Sequence, residues 1–217
     1  RTTATALIKD QNGRVIGVEA EKNGQQLTYY AKRGVIMATG GFGANVAMRT
    51  KYVPELDSRY GTTNARGIMG DGIVMAEKLN AQTHNMKSIQ TYPICHIDSG
   101  AISLIADSRF FGALLVNKEG HRFVEELERR DVISRAILAQ TDQQTYVLWG
   151  SEIEEIAGVV GVHKDEFAEL NRKGMMFKAD SIEELAQKFG VDEKALMAQV
   201  GRVNQFAKAG DDKEFHH

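Results

Sequence analysis

The chain has 217 residues, of which 42% are hydrophobic and 26% charged, as in folded globular proteins with one or two domains. Its formal net charge of -2 excludes a strong overall field that would favour nucleic acid or an anionic membrane. No apolar run approaches the roughly 18 residues of a membrane span, and the single cysteine, Cys95, excludes an internal disulfide and a cysteine metal cluster.

The first residues of the chain predict a β-meander. Asn-Gly dipeptides, which favour tight hairpin turns, separate β-prone runs and predict strands at 4–8, 14–20 and 26–31. The apolar run 34–38 predicts a buried strand that ends at the turn Thr39-Gly40-Gly41. We expect a short helix over 44–53 and a second helix over 71–80, with Asp71 as its N-cap.

Beyond residue 90 the pattern becomes a mixture of strands and helices. The predicted elements are strands at 112–117 and 145–149, a turn at 118–120, and helices over 131–139 and 192–208. Asp131 is the expected N-cap of the first of these helices. Ser151 and Ser181 each precede a glutamate by three residues, a capping box that predicts two further helix starts. The elements together predict an α+β chain with two domains, 1–90 and 91–217.

The glycine turn after residue 38 is the first motif that suggests a ligand. Gly40 and Gly41 are expected at the carboxyl edge of a sheet, where ligands bind in open α/β folds and glycine lets the backbone approach a cofactor. The chain contains no G-x-G-x-x-G motif. Taken alone, the turn fits an ordinary strand-to-helix connection better than a cofactor site.

Four motifs in order resemble the fumarate reductase/succinate dehydrogenase flavoprotein family. They are the run 34–42, the pair Thr62-Thr63-Asn64 and Gly70-Asp71-Gly72, the step Gln90-Thr91-Tyr92-Pro93, and the stretch from Gly112 to Asp131 that includes Glu119-Gly120-His121-Arg122-Phe123. Their order and spacing agree with the family from about residue 30 to 150. The resemblance implies FAD as cofactor and reduction of an α,β-unsaturated carboxylate, with fumarate as the default substrate.

The resemblance also assigns the two domains and the cofactor contacts. Residues 1–90 are expected to form part of a Rossmann-like FAD-binding domain, and 91–217 a C-terminally truncated capping domain. The FAD contacts that it implies are Ala38, Thr39, Gly40, Gly41, Asn64, Gly70 and Asp71. We interpret the chain as an interior piece of a longer protein. We expect it to be largely free of FAD and inactive by itself, with the electron-donor module outside it.

Two arginines match the family's catalytic machinery. Arg130 falls on the proton donor and Arg109 on an arginine of the proton relay. From the residues alone, Arg130 could instead clamp a carboxylate, because planar guanidinium suits bidentate binding, or lie on a solvated charged face. Ala106 occupies the position of the family's relay glutamate, and Asp107 follows it. Asp107 therefore either takes over the relay, binds a different substrate, or is a turn aspartate.

Tyr92 stands where fumarate reductases have a histidine that contacts a substrate carboxylate. Its ring can stack on an aromatic substrate, and together with Asp107 it resembles the urocanate reductase branch. Packing as a rigid loop residue before Pro93 is the alternative. Urocanate or another enoate is thus a competing substrate, and a 3-oxosteroid dehydrogenase-type enzyme and a non-catalytic cap module are further alternatives.

Other reactive side chains do not form a motif. No metal site is predicted, because ligand-like spacing is lacking among the histidines His84, His96, His121 and His163. His96 is expected at the surface, and Cys95 as an inert loop thiol because no base lies near it in sequence. We assign no function to the final His216 and His217.

Overall fold

The computed structural model describes residues 2–96 and 98–215 and divides the chain into two compact units, Arg1–Ile89 and Gln90–His217. Each unit is described by itself. The interpretation of His216 and His217 lies outside the described residues. The chain is α+β, as predicted from sequence, with small antiparallel sheets and short helices. None of the helices in this part of the chain is long and apolar enough to cross a membrane.

The first unit is built on the predicted meander. Its strands are β1 (Thr3–Lys9), β2 (Val15–Lys22) and β3 (Gln25–Tyr30), paired antiparallel in the order β1-β2-β3. Asn23 and Gly24 both have positive φ, at 53° and 80°, as a two-residue hairpin turn requires. The other turn is longer, and the Asp10 carboxylate within it accepts hydrogen bonds from the backbone N–H groups of Asn12 and Arg14.

Two short helices complete the first unit. Helix α1 (Val46–Tyr52) begins where the Asn45 side chain accepts a hydrogen bond from the Met48 N–H, and helix α2 (Asp71–Glu77) packs against β1. The prediction of Asp71 as N-cap was wrong. Gly70 is the cap residue, with a φ of 87°, and Asp71 is the first helical residue. The helix also ends before the predicted Asn80, whose own φ of 64° is not helical.

The predicted buried strand at 34–38 was also wrong. These residues form no regular structure, and the side chain of Ile36 is 93% exposed. A strand with an apolar sequence is buried only when neighbouring strands and helices cover it, and no strand among the described residues pairs with this segment. The glycine turn at 39–41 therefore does not follow a sheet strand in this chain.

The second unit has its cores on the two faces of a small sheet. Strands β4 (Leu114–Asn117) and β5 (Thr145–Leu148) lie within two of the strands predicted from sequence, and they pair antiparallel. Successive side chains of a strand point to opposite faces. Leu115 accordingly packs with Val124 and Ile133 in one buried cluster, and Val116 packs with Ala186 and Leu196 in the other.

The helices of the second unit pack on this sheet or on the 3-10 helix that precedes it. They are α3 (Arg130–Leu138), α4 (Ser151–Ala157), α5 (Val159–Val162), α6 (Lys164–Arg172), α7 (Ile182–Phe189) and α8 (Glu193–Ala209). Two 3-10 helices, Ile105–Phe111 and Thr141–Gln143, lie between the strands and helices. The cap predicted at Ser181 was confirmed, because its side chain accepts a hydrogen bond from the Glu184 N–H.

Two predicted helix starts were wrong by a residue or two. Gly150 is the cap residue of α4 and Ser151 is its first helical residue. The Glu154 carboxylate accepts hydrogen bonds from Trp149 Nε1 and the Val160 N–H, so it does not form the capping box predicted with Ser151. Helix α3 begins at Arg130 after the cap residue Arg129, so Asp131 lies inside the first turn. Its carboxylate instead pairs with the guanidinium groups of Arg129 and Arg135.

Candidate active site

The 3-10 helix Ile105–Phe111 carries two of the predicted catalytic residues. Asp107 lies in its first turn and is half-buried, whereas Arg109 in its last turn is only 4% exposed. Gly112 ends the helix with a φ of 105°, a conformation that favours glycine. Helices α4 and α5 pack against the 3-10 helix and hold it in the second unit.

Arg130 meets Tyr92 at the start of helix α3. The guanidinium carbon of Arg130 lies 5.0 Å from the centroid of the Tyr92 ring, a cation–π distance. Its Nη1 also donates a hydrogen bond of 3.1 Å to Oε1 of Gln90. Arg130 is exposed, so its guanidinium is held by these two neighbours and remains accessible.

The pKa of the Tyr92 phenol depends on its burial and on the charges of Asp107, Arg109 and Arg130. Burial raises the pKa of its phenol, and the charge of Asp107 raises the pKa further. The positive charges of Arg109 and Arg130 act in the opposite direction and do not cancel the rise. Tyr92 therefore stays neutral near physiological pH, where it can donate a hydrogen bond and present an uncharged ring.

The guanidinium of Arg109 is buried and is held by a hydrogen bond and by an aromatic ring. Burial lowers the pKa of its guanidinium, and the charge of Arg130 lowers it too, while Tyr92 and Asp107 oppose that change. Its Nη1 donates a hydrogen bond of 3.0 Å to the backbone oxygen of Glu126, and its guanidinium lies 4.5 Å from the Phe110 ring centroid. A buried guanidinium with a lowered pKa releases a proton more readily than a solvated one.

The structure distinguishes Ala106 from Asp107. Ala106 is buried and its methyl group has no ionisable proton, so it cannot act in a relay. The carboxylate of Asp107 acts electrostatically on both Tyr92 and Arg109. Asp107 is thus the acidic group of this cluster. We call Tyr92, Asp107, Arg109 and Arg130 the four-residue cluster.

A buried ion pair supports the cluster, and sequence reasoning missed it. The Glu126 carboxylate accepts hydrogen bonds from Nε and Nη2 of Arg122 and from the Leu115 N–H, and both charged side chains are 2% exposed. Arg122 also pairs with Asp212 at 2.9 Å. The backbone oxygen of Glu126 accepts the hydrogen bond from Arg109, so this network anchors the Arg109 guanidinium. Gln90, the partner of Arg130, lies in the motif Gln90-Thr91-Tyr92-Pro93, but the resemblance implied no role for it.

The predicted FAD contacts all lie in the first unit. The glycine turn packs against the start of helix α2, because a Cβ atom at Gly72 would lie 2.0 Å from Thr39 Oγ1. A Cβ atom at Gly43, just after the turn, would lie 2.2 Å from Asn64 Nδ2. Position 72 therefore has no room for a side chain, whereas a side chain at position 43 would displace only the end of Asn64. Gly70 is buried, and the other predicted contacts are exposed: Ala38, Thr39, Gly40, Gly41, Asn64 and Asp71.

The turn at residues 38–41 and the side chains near it suit a polar cofactor. Within it, the backbone N–H groups of residues 38–41 donate no hydrogen bond to the described part of the chain. Exposed backbone donors beside an amide side chain, Asn64, and a carboxylate, Asp71, match the hydroxyl and phosphate groups of a dinucleotide. The residues could therefore hold FAD.

His96 lies elsewhere than expected, whereas Cys95 agrees with the expected inert thiol. His96 is largely buried, and its Nε2 lies 2.8 Å from Oε1 of Glu166, so its predicted surface position was wrong. Burial raises the pKa of the Cys95 thiol, which disfavours the reactive thiolate. Among the residues that the structure describes, no group of three or more His, Cys, Asp or Glu side chains is arranged to hold a metal ion.

Comparison with known proteins identifies similar chains. The family described as FAD binding domain matches residues 1–217. The chain is 39% identical to urocanate reductase from Eggerthella lenta and 34% identical to fumarate reductase (cytochrome) from Shewanella frigidimarina, over 100% and 99% of its length. It spans about a third of these relatives, 36% of each. A flavocytochrome c3 fumarate reductase in an open conformation is similar in structure, with a TM-score of 0.79 and 28% identity over 100% of the chain and 37% of that protein.

Proposed function

The chain belongs to the FAD binding domain family, and we propose that its parent protein reduces the carbon–carbon double bond of an α,β-unsaturated carboxylate. The observation that carries this proposal is the four-residue cluster. A neutral tyrosine, a carboxylate and two guanidinium groups interact within one unit, and one guanidinium is buried. The relatives named urocanate reductase and fumarate reductase support the same reaction class.

The segment 38–41, with Asn64, Gly70 and Asp71, would hold FAD in the first unit. When bound in its reduced form, FAD supplies a hydride to one carbon of the double bond. The other carbon must then gain a proton, so that the two-electron reduction gives a saturated carboxylate. Arg130 is the proposed donor, because it is accessible at the cluster and is oriented by Gln90 and the Tyr92 ring.

A guanidinium donor requires a path that restores its proton, since an ordinary arginine has a pKa above about 12. Arg109 and Asp107 are the proposed path. The lowered pKa of Arg109 suits a group that passes a proton on, and the Asp107 carboxylate is the acidic neighbour that can collect one from solvent. The Tyr92 phenol keeps its proton and serves as a hydrogen-bond donor and stacking surface.

The substrate that fits this cluster best has a carboxylate at one end and a nitrogen-containing ring, such as imidazole, at the other. Tyr92 offers a ring for stacking, and Asp107 can accept a hydrogen bond from an imidazole N–H. Fumarate is a dianion. Placing its second carboxylate about 4 Å from an ionised Asp107 costs roughly 4 kcal/mol at an effective dielectric constant near 20. We therefore propose a urocanate-type substrate in preference to fumarate.

Re-oxidation of the reduced parent holoprotein tests the reaction class. The reduced flavoprotein is mixed anaerobically with acrylate, fumarate or urocanate, and the return of the flavin absorbance is followed. We expect at least one enoate to re-oxidise the flavin with formation of one saturated acid per flavin. If the flavin stays reduced with all three, the proposed function is wrong.

A further inference from the structure

The carboxylate of Glu166, on helix α6, is bound by donors from two different segments of the second unit. Its Oε1 lies 2.8 Å from His96 Nε2 and accepts a hydrogen bond of 2.8 Å from Ser103 Oγ. Both oxygens accept from the Leu104 N–H, at 3.1 and 3.2 Å, and Oε2 accepts from the Ile105 N–H at 3.2 Å. The side chain is 14% exposed. We call Glu166 with these four donors the Glu166 clamp.

One side of the clamp is the start of the 3-10 helix Ile105–Phe111. The cap residue of this helix, Leu104, has no side-chain oxygen to accept the first N–H groups. Unpaired N–H groups at a helix start attract an anion. Glu166 supplies that anion from 61 residues further along the chain. The helix that carries Asp107 and Arg109 is thus capped by a side chain of α6.

The other side of the clamp is the segment that carries Tyr92. The thiol of Cys95 lies 3.6 Å from the backbone oxygen of Tyr92, and residues 94–96 pair antiparallel with 101–103. His96 belongs to the first of these short segments and Ser103 to the second. Glu166 binds both, so it joins the Tyr92 segment to the 3-10 helix.

We propose that Glu166 is a positioning residue that fixes Tyr92 relative to Asp107 and Arg109. The inference rests on the proposed function, because it concerns the groups that would bind the ring of the substrate. Binding groups on two separate segments recognise one substrate only if their separation is fixed. Glu166 is not one of the groups proposed to bind the substrate or to transfer a proton. It acts through the backbone of one segment and the ring of His96.

The test compares Glu166→Gln with Asp165→Asn in the parent holoprotein. Glutamine keeps the size of the side chain but turns an NH₂ group toward backbone N–H donors, which weakens the clamp. Asp165 is exposed in the same turn of α6 and takes no part in the clamp, so its substitution removes the same charge from the same helix. Bound flavin, measured by absorbance, reports how much protein is folded.

We expect Glu166→Gln to raise KM for urocanate about tenfold, since even a misplacement of a substrate-binding group by about 1 Å can cost up to about 10²-fold. KM in Asp165→Asn should match wild type. A merely structural role would instead lower the active fraction, and with it the apparent kcat, without changing KM. Milder variants, Ser103→Ala and His96→Asn, each remove one donor and should raise KM less.

Unchanged KM values would overturn the inference. If wild type reduces urocanate and Glu166→Gln, Ser103→Ala and His96→Asn all keep KM within about twofold, Glu166 does not position the site. If Glu166→Gln fails to bind flavin, the two milder variants decide the question. A wild-type protein that reduces no enoate contradicts the proposed function first, and the inference with it.

Discussion

Arg130 is the residue on which the proposed chemistry depends most. It is exposed, yet its guanidinium is oriented by Gln90 at 3.1 Å and by the Tyr92 ring. Its sequence neighbour Arg129 is also exposed, but that guanidinium is bound to Asp131 through two hydrogen bonds. The two arginines therefore have the same chemistry and different partners, which makes Arg129 a matched control.

In the parent protein, Arg130→Lys should lower turnover by about 10²-fold or more while FAD stays bound. Lysine keeps the charge but loses the planar donor geometry, and a positioned proton donor contributes about this factor. Steady-state kinetics with flavin content measured on the same sample checks the prediction. Arg129→Lys should keep turnover close to wild type. A rate for Arg130→Lys above about a tenth of wild type would limit Arg130 to binding the substrate.

The Glu126–Arg122 pair is a residue-scale prediction about stability. Removing one partner of a buried ion pair leaves the other charge uncompensated, which costs about 3–5 kcal/mol. Glu126→Gln should lower the free energy of unfolding by an amount of this order, as measured by urea denaturation. Glu125→Gln is the control, because Glu125 precedes Glu126 and its described hydrogen bond is made by its backbone oxygen, which accepts from the Glu128 N–H. A loss below about 1 kcal/mol would show that the network is not a stability determinant.

Sequence could predict the four-residue cluster only through ordered motifs. Arg130, Arg109 and Tyr92 were found because their neighbours match a family pattern, and Asp107 because it departs from that pattern. Glu126 was hidden, since it lies in a run of charged residues, 125–131, that mixes buried and exposed side chains. Glu166 had no sequence signal, because its donors lie 61 to 70 residues away and two of the four are backbone N–H groups.

At the scale of secondary structure, local signals predicted most elements and failed where a distant partner decides. The meander, β4, β5 and the cap at Ser181 were predicted from turn and capping residues next to them in sequence, and α8 from its helical pattern. The run 34–38 has a strand-like sequence but no strand to pair with among the described residues. The apolar pattern of a segment does not show whether a partner strand is present.

Helix α8 offers a test of the local signals. The Asp192 carboxylate accepts a hydrogen bond of 2.8 Å from the Ala195 N–H and starts the helix that contributes Leu196 to the core. Asp192→Ala should lower the free energy of unfolding by about 1 kcal/mol, the usual cost of losing an N-cap. Ser151→Ala is the control, since Ser151 makes no cap hydrogen bond. Equal losses in the two variants would contradict the assignment of Asp192 as the cap.

At the scale of the whole molecule, the first unit holds the predicted cofactor contacts and the second unit holds the four-residue cluster. The chain spans about a third of its curated relatives, 36% in each case, so activity is expected of the parent and not of these 217 residues alone. The sequence has no G-x-G-x-x-G turn, whose backbone N–H groups and helix start bind a pyrophosphate.

The 217-residue chain, produced by itself, should therefore fold but purify with little or no FAD. The contacts at 38–41, Asn64 and Asp71 are exposed and provide only part of a dinucleotide site. The ratio of flavin absorbance to protein absorbance after purification checks this prediction. A flavin spectrum at stoichiometric occupancy would show that the pyrophosphate is bound without that turn.

The substrate preference of the parent holoenzyme tests the central claim most directly. The measurement is the ratio of kcat/KM for urocanate to that for fumarate, in wild type and in the Tyr92→His/Asp107→Ala variant. We expect wild type to prefer urocanate, because Asp107 repels a second carboxylate and Tyr92 stacks on the ring. The variant should shift the ratio toward fumarate. A wild-type preference for fumarate of more than about tenfold, roughly 1.4 kcal/mol, would contradict the account and assign Asp107 to the proton relay alone.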